Sequence, residues 1–311
     1  MRLLLLGCSG FVGRELVPFL LELGHSLTLI SRTERPFPSL MGDRLVALRL
    51  DPSDPTAWER DDLRRVLAEA EGVVNLAGEP IAEKRWTPQH LQLLQDSRVT
   101  TTRCLVRSMA SLRQPPGVLV NGSAVGFYGT DLEARFTEDS AGADDVLGRL
   151  CRAWEDAADA APAPCRVVKL RIGIVLGPDG GALGKMLPVF RSGFGGPLGS
   201  GRQWMSWIHR HDLCRLIATA LEDTSYRGVY NAVSPAPARM ATFAATLGRT
   251  LGRPSLLPVP GPILQLLLGD GAKVVLEGQQ VLPRRLEAQG FRFQYSELSA
   301  ALAAATSPGP R

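Results

Sequence analysis

Lysine is scarce in this chain. Of 35 basic residues, four are lysines (Lys84, Lys169, Lys185 and Lys273), so arginine carries the positive charge. The net charge of +4 over 311 residues, without a basic run, gives no footprint for nucleic acid or an anionic membrane surface. No stretch approaches the roughly 18 uninterrupted apolar residues of a membrane span. The opening run Leu3–Leu6 is too short for the core of a secretory signal. The five cysteines, Cys8, Cys104, Cys151, Cys165 and Cys214, are never spaced CxxC. An odd, scattered set reads as free thiols in a reducing compartment: the cytoplasm, or an organelle matrix after processing. It also argues against a metal site. GxxxxGK[ST] and GxSxG are both missing, which removes P-loop kinases and hydrolases built on a nucleophile elbow.

What remains is an ordinary globular composition, 45% hydrophobic and 21% charged, long enough for one large domain or two modest ones. In the first half, short apolar runs alternate with helical spacing, the pattern of βαβ units. Strands are expected at Leu3–Leu6, Ser26–Ser31, Leu45–Leu50, Val73–Leu76, Val118–Ser123 and Arg166–Leu170. Helices are expected at Val12–Leu23, Asp61–Glu69, Pro88–Leu112 and Asp145–Ala160. Six such strands predict an α/β, Rossmann-type doubly wound parallel sheet. From about residue 177 the chain turns rich in glycine and proline, which predicts a smaller C-terminal cap or substrate region. The expected division is a sheet domain over 1–176 with a returning segment at about 203–232, and a cap from 177–202 and 233–311. The tail AAATSPGPR is expected to fray.

Residues 7–13 read GCSGFVG. Between a strand and a helix, Gly7 permits a tight turn, Gly10 lets backbone approach a pyrophosphate, and Gly13 lets the helix pack on the strand. First-turn amides and the helix dipole then face the phosphates. The second strand ends Ile30-Ser31-Arg32. An acidic residue there would hold a ribose 2′-hydroxyl. A hydroxyl and a guanidinium suit a 2′-phosphate instead, favouring NADP(H) over NAD(H), unless Arg32 is simply a solvated surface residue. Asp51 either meets the adenine amino group or caps the turn in DPSDP. Small residues in Asn75-Leu76-Ala77-Gly78 let the chain pass close beside the cofactor.

These motifs, with NLAGEPIAEKRWT, DSRVTTTRCLV, GSAVGFYG, LRIGIVLGP, GSGRQWMSWIHRHDL and LEGQQVLPRRLEAQGFRF, resemble the short-chain dehydrogenase/reductase superfamily. The likeness spans essentially the whole chain and is to the extended, sugar-nucleotide-epimerase-like branch, within it the atypical epimerase-family proteins. It implies that Gly7, Ser9, Gly10, Phe11 and Val12 line the pyrophosphate and that Ser31 and Arg32 meet the 2′-phosphate. Leu76, Ala77 and Gly78 would border the adenosine ribose, and Val175 would lie near the nicotinamide. Arg98 would face the cofactor, or else solvent. His209 reads as a structural histidine rather than a proton carrier.

The superfamily's Tyr-xxx-Lys pair is missing. The residues four places after Tyr128, Tyr226, Tyr230 and Tyr295 are Leu132, Tyr230, Ser234 and Ser299. Aligning Glu155 with the glutamate that often follows the pair puts Leu147 in the Tyr place and Cys151 in the Lys place. An unassisted Tyr, with a pKa near 10, is a poor base at neutral pH. Ser123, at the end of the fifth strand, and Tyr128, on the loop after it, are the candidates for acid/base work; Glu79 is a third. Lys185, Arg191 and Arg202 either receive an anionic substrate or lie on a solvated surface. Two functions are consistent with this pattern. One is an NADP(H)-dependent oxidoreductase or epimerase with unusual acid/base groups, acting on a carbonyl or sugar-nucleotide-like compound. The other is an NADPH-binding regulatory or scaffold protein with a protein partner, since the resemblance extends to proteins linked to cell and plastid division.

Overall fold

RLLLL at the N-terminus is buried on both faces over its four leucines, a demand met by an inner parallel strand. The computed structural model describes residues 1–307. Its central sheet has seven strands: β1 (Arg2–Leu6), β2 (Ser26–Ser31), β3 (Leu45–Arg49), β4 (Gly72–Asn75), β5 (Val118–Ala124), β6 (Arg166–Ile172) and β7 (Gly228–Ala232). All pairs are parallel, in the order β7-β6-β5-β4-β1-β2-β3. The strand order reverses between β1 and β4, where doubly wound sheets bind ligands. The six expected strands are all present, and β7 is a seventh. GVYNA lacks an unbroken apolar run to mark it, since it begins at glycine and holds Asn231.

Helices Gly13–Glu22 and Arg210–Glu222 cover one face of the sheet with a leucine-rich core. Helices Asp61–Glu69 and Val146–Asp159 and the helical stretch 88–110 cover the other. That stretch, expected as one regular helix, is two α-helical parts joined by a π-turn at Asp96–Thr100. Widening a turn weakens the backbone ladder, and hydroxyls fill the gap. Thr101 Oγ1 donates to the Asp96 carbonyl at 3.2 Å, and Thr102 Oγ1 to the Arg98 carbonyl at 2.7 Å. Buried Arg166 caps the end of Arg210–Glu222 by donating to the carbonyls of Ala220, Leu221 and Tyr226.

A second apolar core lies in the C-terminal part. Leu183, Leu187, Phe190, Trp207, Phe243 and Leu302 meet there from helices Gly181–Arg191, Met240–Leu251 and Leu298–Thr306 and the strand Trp207–His209. The tail expected to fray is helical over 303–306, because Ala305 is buried in this core. Residues 308–311 of that tail lie outside the described residues. Residues 284–293 pack on the sheet side, with Leu286 in the core beneath β7 and Phe291 and Phe293 against it. Among the described residues, no helix is long and apolar enough to cross a membrane.

The strand Trp207–His209 runs parallel to Ile174–Leu176. His209 is 6% exposed, its ring 3.9 Å from that of Tyr295, and its Nδ1 accepts from the His211 amide to cap the following helix. Burial pushes its pKa down to about 4. The unfolded chain takes up this proton near 6.5, the folded one near 4, so between those values the unfolded state binds more protons. Stability should therefore fall as pH drops from about 6.5 to about 4, by at most about 3 kcal/mol from this residue. Urea denaturation of the native protein and His209→Asn across that window checks it: the two curves should converge toward acid, with the variant's slope flatter.

Candidate functional site

Gly7 leaves β1 with φ +73°, and a Cβ there would lie 2.4 Å from the Leu76 carbonyl carbon and the Ala77 nitrogen. The neighbouring backbone occupies the space of a side chain. A Cβ on Gly13 would lie 1.6 Å from the Cys8 carbonyl oxygen, so the helix is seated directly on the turn. Gly10 differs: the nearest protein atom to its Cβ position is the Gly7 oxygen at 3.7 Å, and the space above it is open. Exposed Ser9 and half-buried Phe11 and Val12 surround that opening. Val12 gives the following helix no side-chain cap, and the Arg14 and Glu15 amides donate instead to the Gly10 and Val12 carbonyls at 3.1 and 3.2 Å.

Ser31 ends β2 buried, its Oγ accepting from the Thr33 amide at 3.0 Å, and Arg32 beside it is exposed. Asp51 makes the DPSDP turn, accepting from the Ser53 amide at 2.9 Å and its hydroxyl at 2.7 Å. Leu76 and Ala77 abut Gly7, and a Cβ on Gly78 would lie 2.9 Å from the Arg98 Cζ. Arg98 reaches from the π-turn to donate to the Glu79 carbonyl at 2.9 Å, with its guanidinium 5.4 Å from the Trp154 ring centre. Thr102, Asn75, Asn121 and Trp154 form the polar column that holds this turn. Asn75 Nδ2 donates to Thr102 Oγ1 at 2.9 Å and to Asn121 Oδ1 at 2.8 Å, and Trp154 Nε1 donates to the same hydroxyl at 3.0 Å.

A cleft of about 1560 Å³ opens at the C-terminal ends of β5 and β6, between helix Val146–Asp159, the 172–188 segment and residues 264–279. Ser123, Arg98, Phe11 and Val175 are in its wall, as are Leu147 and Cys151. Ser123 donates to Glu155 Oε1 at 2.7 Å, and Arg171 clamps that carboxylate through Nε to Oε1 at 2.8 Å and Nη2 to Oε2 at 2.9 Å. Tyr128, expected by the nicotinamide face, is not in the wall. Its hydroxyl donates to Asn231 Oδ1 at 2.7 Å and accepts from Arg171 Nη1 at 2.9 Å, inside the protein. Burial pushes this phenol up to about 12. Burial, then the nearby Glu155, pushes the Cys151 thiol up to about 12 as well, which leaves it an uncharged packing group. Glu79 pairs with Lys84 at 3.2 Å. Lys185 pairs with Glu83 at 3.1 Å, Arg191 is exposed at the cleft's edge, and Arg202 is exposed away from it. Among the described residues no group of three or more His, Cys, Asp or Glu could hold a metal ion.

Glu155 and Arg171 are the buried ion pair beside Ser123 that sequence reasoning missed, having used Glu155 as an alignment mark alone. The signal was a charged residue inside the buried strand RVVKLRI, which cannot stay ionised without a partner.

Gly13→Ala should cost roughly 3 kcal/mol or prevent folding, since backbone cannot recede from the added methyl. Gly10→Val should cost less than about 1 kcal/mol. Urea denaturation of both variants measures the contrast, and equal losses would show that Gly10 is also a packing glycine.

Residues 3–232 match the NAD dependent epimerase/dehydratase family, and residues 259–305 match a domain of unknown function, DUF1731. The epimerase family protein SDR39U1 homolog, chloroplastic, of Arabidopsis thaliana is 42% identical over 306 residues, 96% of this chain and 84% of its own. Epimerase family protein YfhF of Bacillus subtilis is 36% identical over 304 residues, 97% of each chain. The crystal structure of human epimerase family protein SDR39U1 (isoform 2) with NADPH is 38% identical with a TM-score of 0.88, covering 98% of this chain and 99% of that one. The chain belongs to the NAD dependent epimerase/dehydratase family.

Proposed function

We propose that this is an NADP(H)-binding, oxidoreductase- or epimerase-like protein that handles a carbonyl or alcohol group without a Tyr–Lys pair. The observation that carries the reading is the open space above Gly10 at the switch point of the sheet, with Ser31 and Arg32 at the end of the adjacent strand. The human relative solved with NADPH supports it. Gly7, Ser9, Gly10, Phe11 and Val12 hold the pyrophosphate, and Ser31 and Arg32 the 2′-phosphate. Leu76, Ala77 and Gly78 border the adenosine ribose, Asp51 stands on the adenine side, and Arg98 and Val175 flank the nicotinamide end. The cofactor portion is residues 1–176 with 203–232, and the substrate cap 177–202 with 233–311. Five unpaired cysteines fit a reducing compartment, the cytoplasm or an organelle matrix.

Bound NADP(H) supplies or takes the hydride. The protein's task is then to orient the substrate oxygen and move one proton. Ser123 Oγ stands in the cleft wall with its own proton directed at Glu155. A substrate hydroxyl can donate to Ser123 Oγ while Ser123 passes its proton to the Glu155 carboxylate. Arg171 holds that carboxylate in place through two hydrogen bonds.

One observation favours a second reading, in which NADPH is a structural or sensing ligand and the chain serves a protein partner. Leu147 and Cys151, which alignment on Glu155 assigns to the places of the missing pair, line the cleft wall, and neither offers an ionised group.

Arg32→Asp should weaken NADPH binding about ten- to a hundredfold, the usual worth of one charge-assisted hydrogen bond, and leave NADH binding unchanged or better. Calorimetry with both cofactors measures this; equal native affinity for NADPH and NADH would sink the 2′-phosphate assignment. Gly10→Val should bind neither.

Ser123→Ala should lower turnover of a carbonyl panel about 10²-fold or more while NADPH affinity holds, because the proton route is cut. Tyr128→Phe should leave turnover within about threefold, since its hydroxyl faces inward. Steady-state NADPH oxidation measures both. No turnover of any carbonyl by a native protein that binds NADPH would favour the sensing reading.

A further inference from the structure

The cleft is larger than the roughly 300–1000 Å³ of most small-molecule sites, and what lines it identifies its guest. Trp86, Leu147, Leu150, Ile174, Met186 and Leu264 contribute apolar side chains from five separate segments of the chain. All six are half-buried, which leaves part of each free to meet a ligand.

Several polar side chains of the same wall are already bonded to protein, although Gln203 Oε1 is buried without a partner. Ser123 is held by Glu155. Gln203 Nε2 donates to the carbonyls of Leu198 and Val275, at 3.0 Å each. Ser206 donates to the Gln279 carbonyl at 2.8 Å and accepts from the Val281 amide at 2.9 Å. Thr130 donates to Glu277 at 2.8 Å. The cations fare similarly: Arg98 is directed at the Glu79 carbonyl and Lys185 at Glu83. Arg191 and Lys273 are exposed, at the cleft's edge.

A sugar nucleotide brings a diphosphate and a ring of hydroxyls, each needing a partner when water is removed. Here, apart from Arg191 and Lys273 at the exposed edge, most of those partners are spent, and groups inside the cleft would be desolvated against leucine and methionine. An apolar body faces no such penalty and gains from burying the same side chains. Replacement of a Tyr–Lys pair by Leu147 and Cys151 removes polarity at the same place.

We propose that this cleft binds a carbonyl compound whose body is apolar, a long-chain or bulky ketone or aldehyde, rather than a nucleotide sugar. The assignment rests on the cofactor reading above for the carbonyl, and on the wall alone for the apolar body. The probe is 2-undecanone, with UDP-glucose as the rival, each titrated by calorimetry into the NADPH-loaded and the cofactor-free protein. The ketone should bind at least about tenfold more tightly than UDP-glucose. Leu147→Asp and Met186→Asp, on two different helices, should each weaken the ketone about tenfold while NADPH affinity stays at the native value, which also reports an intact fold. UDP-glucose binding as tightly as the ketone would overturn the proposal, and so would ketone affinity indifferent to both substitutions. NADPH binding without ketone binding would remove the apolar guest and spare the cofactor. Ketone binding without NADPH binding would do the reverse.

Discussion

A guanidinium buried against a carboxylate dictates the middle of this protein. The side chains of Arg171 and Glu155 are 5% and 6% exposed. Taking both ions out of water costs several kcal/mol each, and their attraction recovers it when the geometry is good and the remaining hydrogen-bonding sites are filled. The geometry is forked and short. What is left over explains the neighbours. The remaining Arg171 nitrogen donates to the Tyr128 hydroxyl, and the guanidinium lies 3.3 Å from the centre of the Phe127 ring. The spare lone pair of Glu155 takes the Ser123 hydroxyl. Tyr128 then needs an acceptor and finds Asn231 on β7. One ion pair thus ties together β5, β6, β7, the 125–128 turn and helix Val146–Asp159.

The same helix sets the character of the cleft. Glu155, Cys151 and Leu147 are spaced by four and share a face. The innermost turn carries the charge and its partners, and the next two carry a thiol and an isobutyl group. The wall is polar where Ser123 meets the cleft and apolar beyond it. The hydrogen-bonded stretch Ser123–Glu155–Arg171 therefore abuts the apolar stretch of Cys151 and Leu147 on the same helix.

The sheet was legible in the sequence because inner parallel strands have to be apolar on both faces, and six apolar runs mark six strands. The glycine turn was legible because Gly7 and Gly13 meet backbone that no side chain could displace, while Gly10 meets open space. β7 was hidden because Asn231, a partner of Tyr128, interrupts its apolar pattern. The π-turn was hidden because its cause is tertiary: Thr102 is claimed by Asn75 and Trp154 as well as by the Arg98 carbonyl. Tyr128 was expected beside the cleft on loop position alone, and Arg171 turned it inward. The pairing that did so has a sequence signature. Lys169 and Arg171 are two apart on a strand, so they share a face. Asp159 and Glu155 are four apart on the helix that packs there, and the pairs Lys169–Asp159 and Arg171–Glu155 form.

The glycines of GPDGG first read as the texture of a smaller C-terminal cap. Their local cause is the ring of Phe11. Cβ atoms on Gly180, Gly181 and Gly177 would lie 2.8, 2.9 and 3.0 Å from atoms of that ring. Between them Asp179 faces Arg14 and Arg210, and Arg210, 7% exposed, also donates to Glu15 at 2.8 Å. Exposed ion pairs of this kind contribute little, whereas the shielded Arg210 and the enclosed ring fix the loop. Phe11 belongs at once to the turn after β1 and to the wall of the cleft. Two of the glycine-rich regions of the sequence are therefore two sides of one aromatic contact, and the cofactor turn and the cleft mouth are built as a single packed unit.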